Sequence, residues 1–92
     1  MITQSELKEV LDYNPDTGVF TCNKTGENRG GHNFGLYLKI AIRAKLYRAD
    51  ALAYLYMKGE WPKYIIDHIN GIYDDNRWVN LRPANLRQNK NI

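Results

Sequence analysis

Apolar positions change their spacing several times along the 92 residues, and each change predicts an element. Leu7, Val10 and Leu11 recur at helical intervals behind Thr3-x-x-Glu6, a pair able to close a capping box, which predicts a short amphipathic helix over roughly 4–12. Asn14-Pro15-Asp16-Thr17-Gly18 is turn chemistry, because Pro presets its φ and Gly permits a positive one. Val19-Phe20-Thr21-Cys22 then reads as a short strand. Residues 23–35 hold Gly26, Gly30, Gly31 and Gly35 with few apolar groups and read as a loop.

Leu36 to Ile42 alternates, with Leu38, Ile40 and Ile42 on one side and Lys39 and Arg43 on the other. That is the pattern of a half-buried strand with a basic outer face. Lys45-Leu46-Tyr47 is placed to return as its hairpin partner. From Arg48 the period becomes helical: Ala49, Leu52, Ala53 and Tyr56 share a face, and Gly59 follows as a stop after Lys58. Tyr64-Ile65-Ile66 reads as a strand, followed by a polar loop through Gly71 and Asp74-Asp75-Asn76. Leu81-Arg82-Pro83 reads as a second short strand and Ala84 to Asn91 as a closing helix. The expected class is α+β: an N-terminal helix and β-hairpin, a helix, and then a strand-loop-strand-helix finger over about 64–92. Ninety-two residues predict one domain, 1–92, with a small core.

The chemistry narrows what such a domain does. A single cysteine, Cys22, excludes an internal disulfide, and no Cys/His array supports structural zinc. No apolar run is long enough to span a membrane and no signal-peptide order is present, so the expected location is the cytoplasm of the cell that makes the protein. The net charge of +3 is unevenly spread. Residues 1–27 set five acids against Lys8 and Lys24, whereas residues 28–58 set six cations against Asp50 alone. Arg77, Arg82, Arg87 and Lys90 lie in an acid-free C-terminal stretch. Basic runs of this kind attract phosphate backbones by releasing counterions, so Lys39, Arg43, Lys45, Arg48, Arg77, Arg82 and Arg87 are candidate nucleic-acid contacts. Each of these is also an ordinary solvated surface residue by composition alone.

The most specific motif is Ile66-Asp67-His68-Ile69-Asn70-Gly71, with Asn80 thirteen residues after Asp67 and Asn89 nine further on. It resembles the His-Asn-Asn variant of the HNH endonuclease motif, and the chain as a whole resembles a small phage-type HNH endonuclease. The likeness extends to Leu11-Asp12-Tyr13-Asn14-Pro15-Asp16-Thr17-Gly18, to Tyr37-Leu38-Lys39-Ile40, and to Gly59-Glu60-Trp61-Pro62. The resemblance implies a ββα-metal finger and metal-dependent hydrolysis of DNA phosphodiesters at low sequence specificity. It implies His68 as general base, a role an imidazole fills near neutral pH. Asp67 and Asn89 are implied as ligands of Mg²⁺ or Mn²⁺, cations suited to hard oxygens. Asn80 is implied as the residue that braces the loop and helps to orient His68, and Asp75-Asn76-Arg77 reads as loop architecture.

The chain departs from the family pattern in places. Asp50-Ala51 stands where the family usually places His-Arg, Cys22 where a Trp is common, and Ala44 where a hairpin Gly is common. An anion at position 50 is expected to repel phosphate at that spot. With the basic face, this motivates an alternative from another class: a phage-encoded inhibitor on an HNH-like scaffold, an anti-CRISPR protein docking on a host CRISPR–Cas ribonucleoprotein. In that reading His68→Ala is silent and no metal is needed.

Overall fold

The computed structural model describes residues 1–30, the backbone of 32–34, and 37–84; the closing segment expected as a helix, with Arg87 and Asn89, lies outside the described residues. The fold is α+β. Helix α1 spans Gln4–Val10 and opens with the expected box: the Glu6 N–H donates to Thr3 Oγ1 and the Thr3 N–H to the Glu6 carboxylate. It ends two residues short of the expected boundary. Leu11–Asn14 is strand β1, with Leu11 and Tyr13 buried and Asp12 and Asn14 exposed, and it pairs antiparallel with β2, Val19–Cys22. Leu11 suits either period, and the strand pairing decides it.

Strands β3 (His32–Phe34), β4 (Tyr37–Ile42) and β5 (Lys45–Arg48) form an antiparallel sheet in that order. β3 falls inside the stretch expected to be all loop; glycines flank it, but its backbone pairs with β4 from His32↔Lys39 to Phe34↔Tyr37. The β4–β5 turn places Arg43 at φ 52° and Ala44 at φ 67°, a two-residue connection with both central residues left-handed. Arg43 therefore belongs to the turn and not to the strand face.

Helix α2, Ala49–Lys58, ends on Gly59 at φ 81°, whose N–H returns to the Leu55 carbonyl. It buries Leu52, Ala53 and Leu55 against Leu7, Leu11, Phe20 and Ile40. The same cluster includes Ile66 from β6 (Ile66–His68) and Leu81 from β7 (Leu81–Pro83), so the C-terminal hairpin is anchored to the core by its apolar positions. β6 begins two residues later than expected and itself contains Asp67 and His68. A 3₁₀ turn at Trp78–Asn80 leads into β7. Trp61 and Trp78 pack against the core edge, and the Trp61 indole donates to the Ile2 carbonyl at 2.9 Å. No described helix is long and apolar enough to cross a membrane.

Candidate functional site

Strand alternation separates the two central residues of the motif. Ile66 and His68 face the core, and Asp67 faces outward. Asp67 lies opposite Arg82 in register, with Arg82 Nη2 3.5 Å from its carboxylate. Its side chain is 43% exposed, so the carboxylate is open to a solvent-borne partner.

The imidazole of His68 is enclosed. Its Nε2 lies 2.9 Å from Asn76 Oδ1 and 4.0 Å from the Asp50 carboxylate, and both partners are buried. The rings of Tyr37 and Tyr73 flank it at centroid distances of 6.0 and 5.9 Å, the second edge-on. Nδ1 is buried and has no hydrogen-bond partner among the described residues. An acceptor amide oxygen and an anion at Nε2 both favour a proton there, which leaves the Nδ1 lone pair available.

Asp50 was expected to present an anion to the substrate face; the structure corrects this. It is 2% exposed, in the first turn of α2, and Arg48 forks onto it with hydrogen bonds of 3.1 and 2.5 Å. A buried carboxylate requires such a partner. The pairing, set against the partial burial of the guanidinium, holds Arg48 above its already high ordinary pKa. The Arg48 guanidinium also lies 3.7 Å over the Tyr37 ring, so β4, β5 and α2 converge on His68 through a chain of contacts.

The loop between β6 and the 3₁₀ turn is held by its own polar groups. Asn80 accepts the Asn70 N–H at 2.9 Å and donates to the Asp75 carbonyl at 2.8 Å, while the Ile69 N–H bonds the Asn80 carbonyl. Asn80 thus braces the loop from beneath, and its side chain makes no described contact with His68. Arg77 forks onto Asp75 at 2.9 and 2.8 Å. This ion pair, with help from Asn70, holds the Asp75 carboxyl well below its usual range.

The N-terminal hairpin supports the same loop from the other side. The Trp78 N–H donates to the Pro15 carbonyl at 2.9 Å, and the Tyr13 hydroxyl to the Asn76 carbonyl at 2.5 Å. Gly18, at φ 77°, abuts the Asn76–Arg77 peptide so closely that a Cβ there would lie 2.4 Å from backbone atoms.

The candidate cations divide into two groups. Lys39 faces Arg48 across β4–β5, beside Tyr37. Arg43 and Lys45 lie at the turn end of that hairpin, roughly 13 Å of strand away. Arg43 is drawn onto Glu6 at 2.9 Å and Glu9 at 3.7 Å. Arg77 is engaged by Asp75. Arg48 is engaged in the same way by Asp50, Arg82 lies opposite Asp67, and Lys39 pairs across the sheet with Arg48. Asn76, Tyr13, Tyr37 and Gly18 were not legible as site residues, and Asp50 was legible only as an anion expected to repel phosphate. Asp50 carried one signal, an acid at a helix start beside an arginine.

Residues 47–91 match the family model of an HNH endonuclease, a span that takes in α2, Asp67, His68, Asn80 and the segment bearing Asn89. This stretch belongs to the HNH family. Among solved structures, the chain is similar to the HNH homing endonuclease I-HmuI, described for its DNA binding and cleavage. The TM-score is 0.63 at 20% identity, over 89% of this chain and 50% of that one. The likeness establishes an HNH fold, and the chain spans half the length of that relative. No curated protein matches the chain.

Proposed function

We propose that this HNH protein is a metal-dependent DNA endonuclease of low sequence specificity, phage-encoded, with His68 as its general base. The observation that carries the reading is the state of the imidazole: Nε2 is committed to Asn76 and faces Asp50, while Nδ1 has no described partner. Once the enclosed site admits a water, such a nitrogen can take its proton as the water oxygen bonds to phosphorus and the ester oxygen departs. The I-HmuI likeness and the HNH family match support DNA as the substrate.

The donor chemistry fits a hard cation. Asp67 offers an outward carboxylate, and Mg²⁺ needs only one or two of these beside waters and a phosphate oxygen. Asp67 and Asn89 would hold Mg²⁺ or Mn²⁺; when bound, such an ion neutralises charge on the phosphate and the departing oxygen. Asn80 keeps the loop shaped so that Asn76 stays against His68. Lys39 and Arg82, with Arg87 from outside the described residues, grip the phosphate backbone, while Arg48 is held by Asp50.

The inhibitor alternative drew on Asp50 as an anion within the basic face. Its burial against Arg48 removes that part of the support, leaving the lost His-Arg pair and the basic face. The test is conversion of supercoiled plasmid to nicked circles by purified protein with Mg²⁺ or Mn²⁺. Nicking that EDTA abolishes supports the proposal, and an intact plasmid at high concentrations of folded protein overturns it.

A further inference from the structure

We infer that Asp50 is a positioning residue that fixes the tautomer of His68, keeping the proton on Nε2 and the lone pair on Nδ1. Asn76 cannot do this alone. Its amide meets Nε2 at 2.9 Å, but a carboxamide can present either its oxygen or its NH₂. With the oxygen inward, Nε2 carries the proton; with the NH₂ inward, Nε2 carries the lone pair and Nδ1 the proton. The two orientations differ little in shape, so their balance rests on the surrounding charge.

That charge is Asp50. Its carboxylate lies 4.0 Å from Nε2, and both side chains are almost fully buried. A lone pair aimed at a buried anion is repelled, and an N–H aimed at it is attracted, so Asp50 selects the arrangement with the proton on Nε2. Arg48 weakens this attraction without reversing it, because its Nη2 bonds the same Asp50 oxygen that lies 4.0 Å from Nε2 and that oxygen stays the nearer charge to the ring. Tyr37 and Tyr73 offer ring faces and edges, and Arg48 is turned onto Asp50 and Tyr37. Arg48 has a role at one remove: its fork of hydrogen bonds sets the direction of the carboxylate.

The catalytic consequence rests on the nuclease reading, but the tautomer does not, and the two are tested separately. With only two histidines in the chain, long-range proton–nitrogen correlation on ¹⁵N-histidine-labelled, metal-free protein is readily assigned by comparison with His68→Ala. The spectra are recorded near pH 9, above the ordinary imidazole range of about 6.5. The wild-type protein is expected to show a protonated Nε2 and an unprotonated Nδ1. In Asp50→Asn the two nitrogen shifts should move toward each other as the tautomers mix. A folded Asp50→Asn protein that keeps the wild-type shifts overturns the inference.

Should Asp50→Asn fail to fold, Asn76→Ala decides. Asp50 alone should keep the proton on Nε2, and mixed tautomers in that variant overturn the inference. In the plasmid assay, Asp50→Asn should lower kcat by roughly 10²-fold or more with little change in KM. A wild-type protein that does not nick defeats the nuclease reading while the nitrogen shifts still decide the role of Asp50.

Discussion

The phenol of Tyr13 donates a 2.5 Å hydrogen bond to the backbone carbonyl of Asn76, 63 residues along the chain and in the buried interior. The N-terminal hairpin thereby holds the residue that touches His68. Tyr13→Phe leaves that carbonyl unpaired and should cost about 1–3 kcal/mol, read as a lower urea midpoint with an unchanged slope. Burial, with the Asp75 charge adding to it, pushes the Tyr13 phenol well above its usual range. The folded state thus keeps the proton more tightly than the unfolded chain does. Its contribution is present below about pH 10 and lost as pH rises further, so the wild type should weaken more steeply than Tyr13→Phe in urea melts at alkaline pH.

Asp75 acts at the other end of the pH scale. The fork from Arg77 is the first cause of its lowered pKa, so it contributes stability above about pH 4 that is lost as pH falls. Arg77→Met should flatten the decline in thermal stability on acidification. An unchanged profile would mean that the pair has no weight in solution.

Gly18 is constrained twice, by its φ of 77° and by the Asn76–Arg77 backbone 2.4 Å from where a Cβ would lie. Gly18→Ala should cost about 2–4 kcal/mol, combining left-handed strain with overpacking. The same variant should shift the His68 ring resonances, because the loop must move to admit the methyl group. A wild-type melting temperature would contradict the packing described.

Ala44 offers a gain. It sits at φ 67° in a turn that glycine enters without strain. Ala44→Gly should add about 1 kcal/mol, or roughly 4–8 °C in Tm, while leaving the His68 environment unchanged. A lower Tm would show that the unfolded-state entropy of the new glycine outweighs the relief.

The sequence was most legible where local chemistry and periodicity agree. The Thr3–Glu6 box, the alternation ending in Ile40 and Ile42, and the α2 stripe closed by Gly59 each predict an element that the fold contains. It was ambiguous at Leu11, which fits both a helical and an alternating pattern, and silent at β3, whose strand exists by pairing with β4. The Asp67–His68 motif was visible as residues. Their placement on opposite faces of β6, and the burial of Asp50 and Asn76 around the imidazole, depend on contacts between segments far apart in the chain. Asp50 illustrates the gap: as a letter it is an anion in a basic stretch, and in the fold it is a buried partner of Arg48.

The role proposed for His68 is to take the proton from the attacking water. The most direct measurement compares plasmid nicking by wild type and His68→Ala in Mg²⁺ or Mn²⁺, with DNA affinity measured in parallel. A loss of about 10²–10⁴-fold in rate with affinity essentially unchanged is expected. A His68→Ala protein that nicks at the wild-type rate would contradict it.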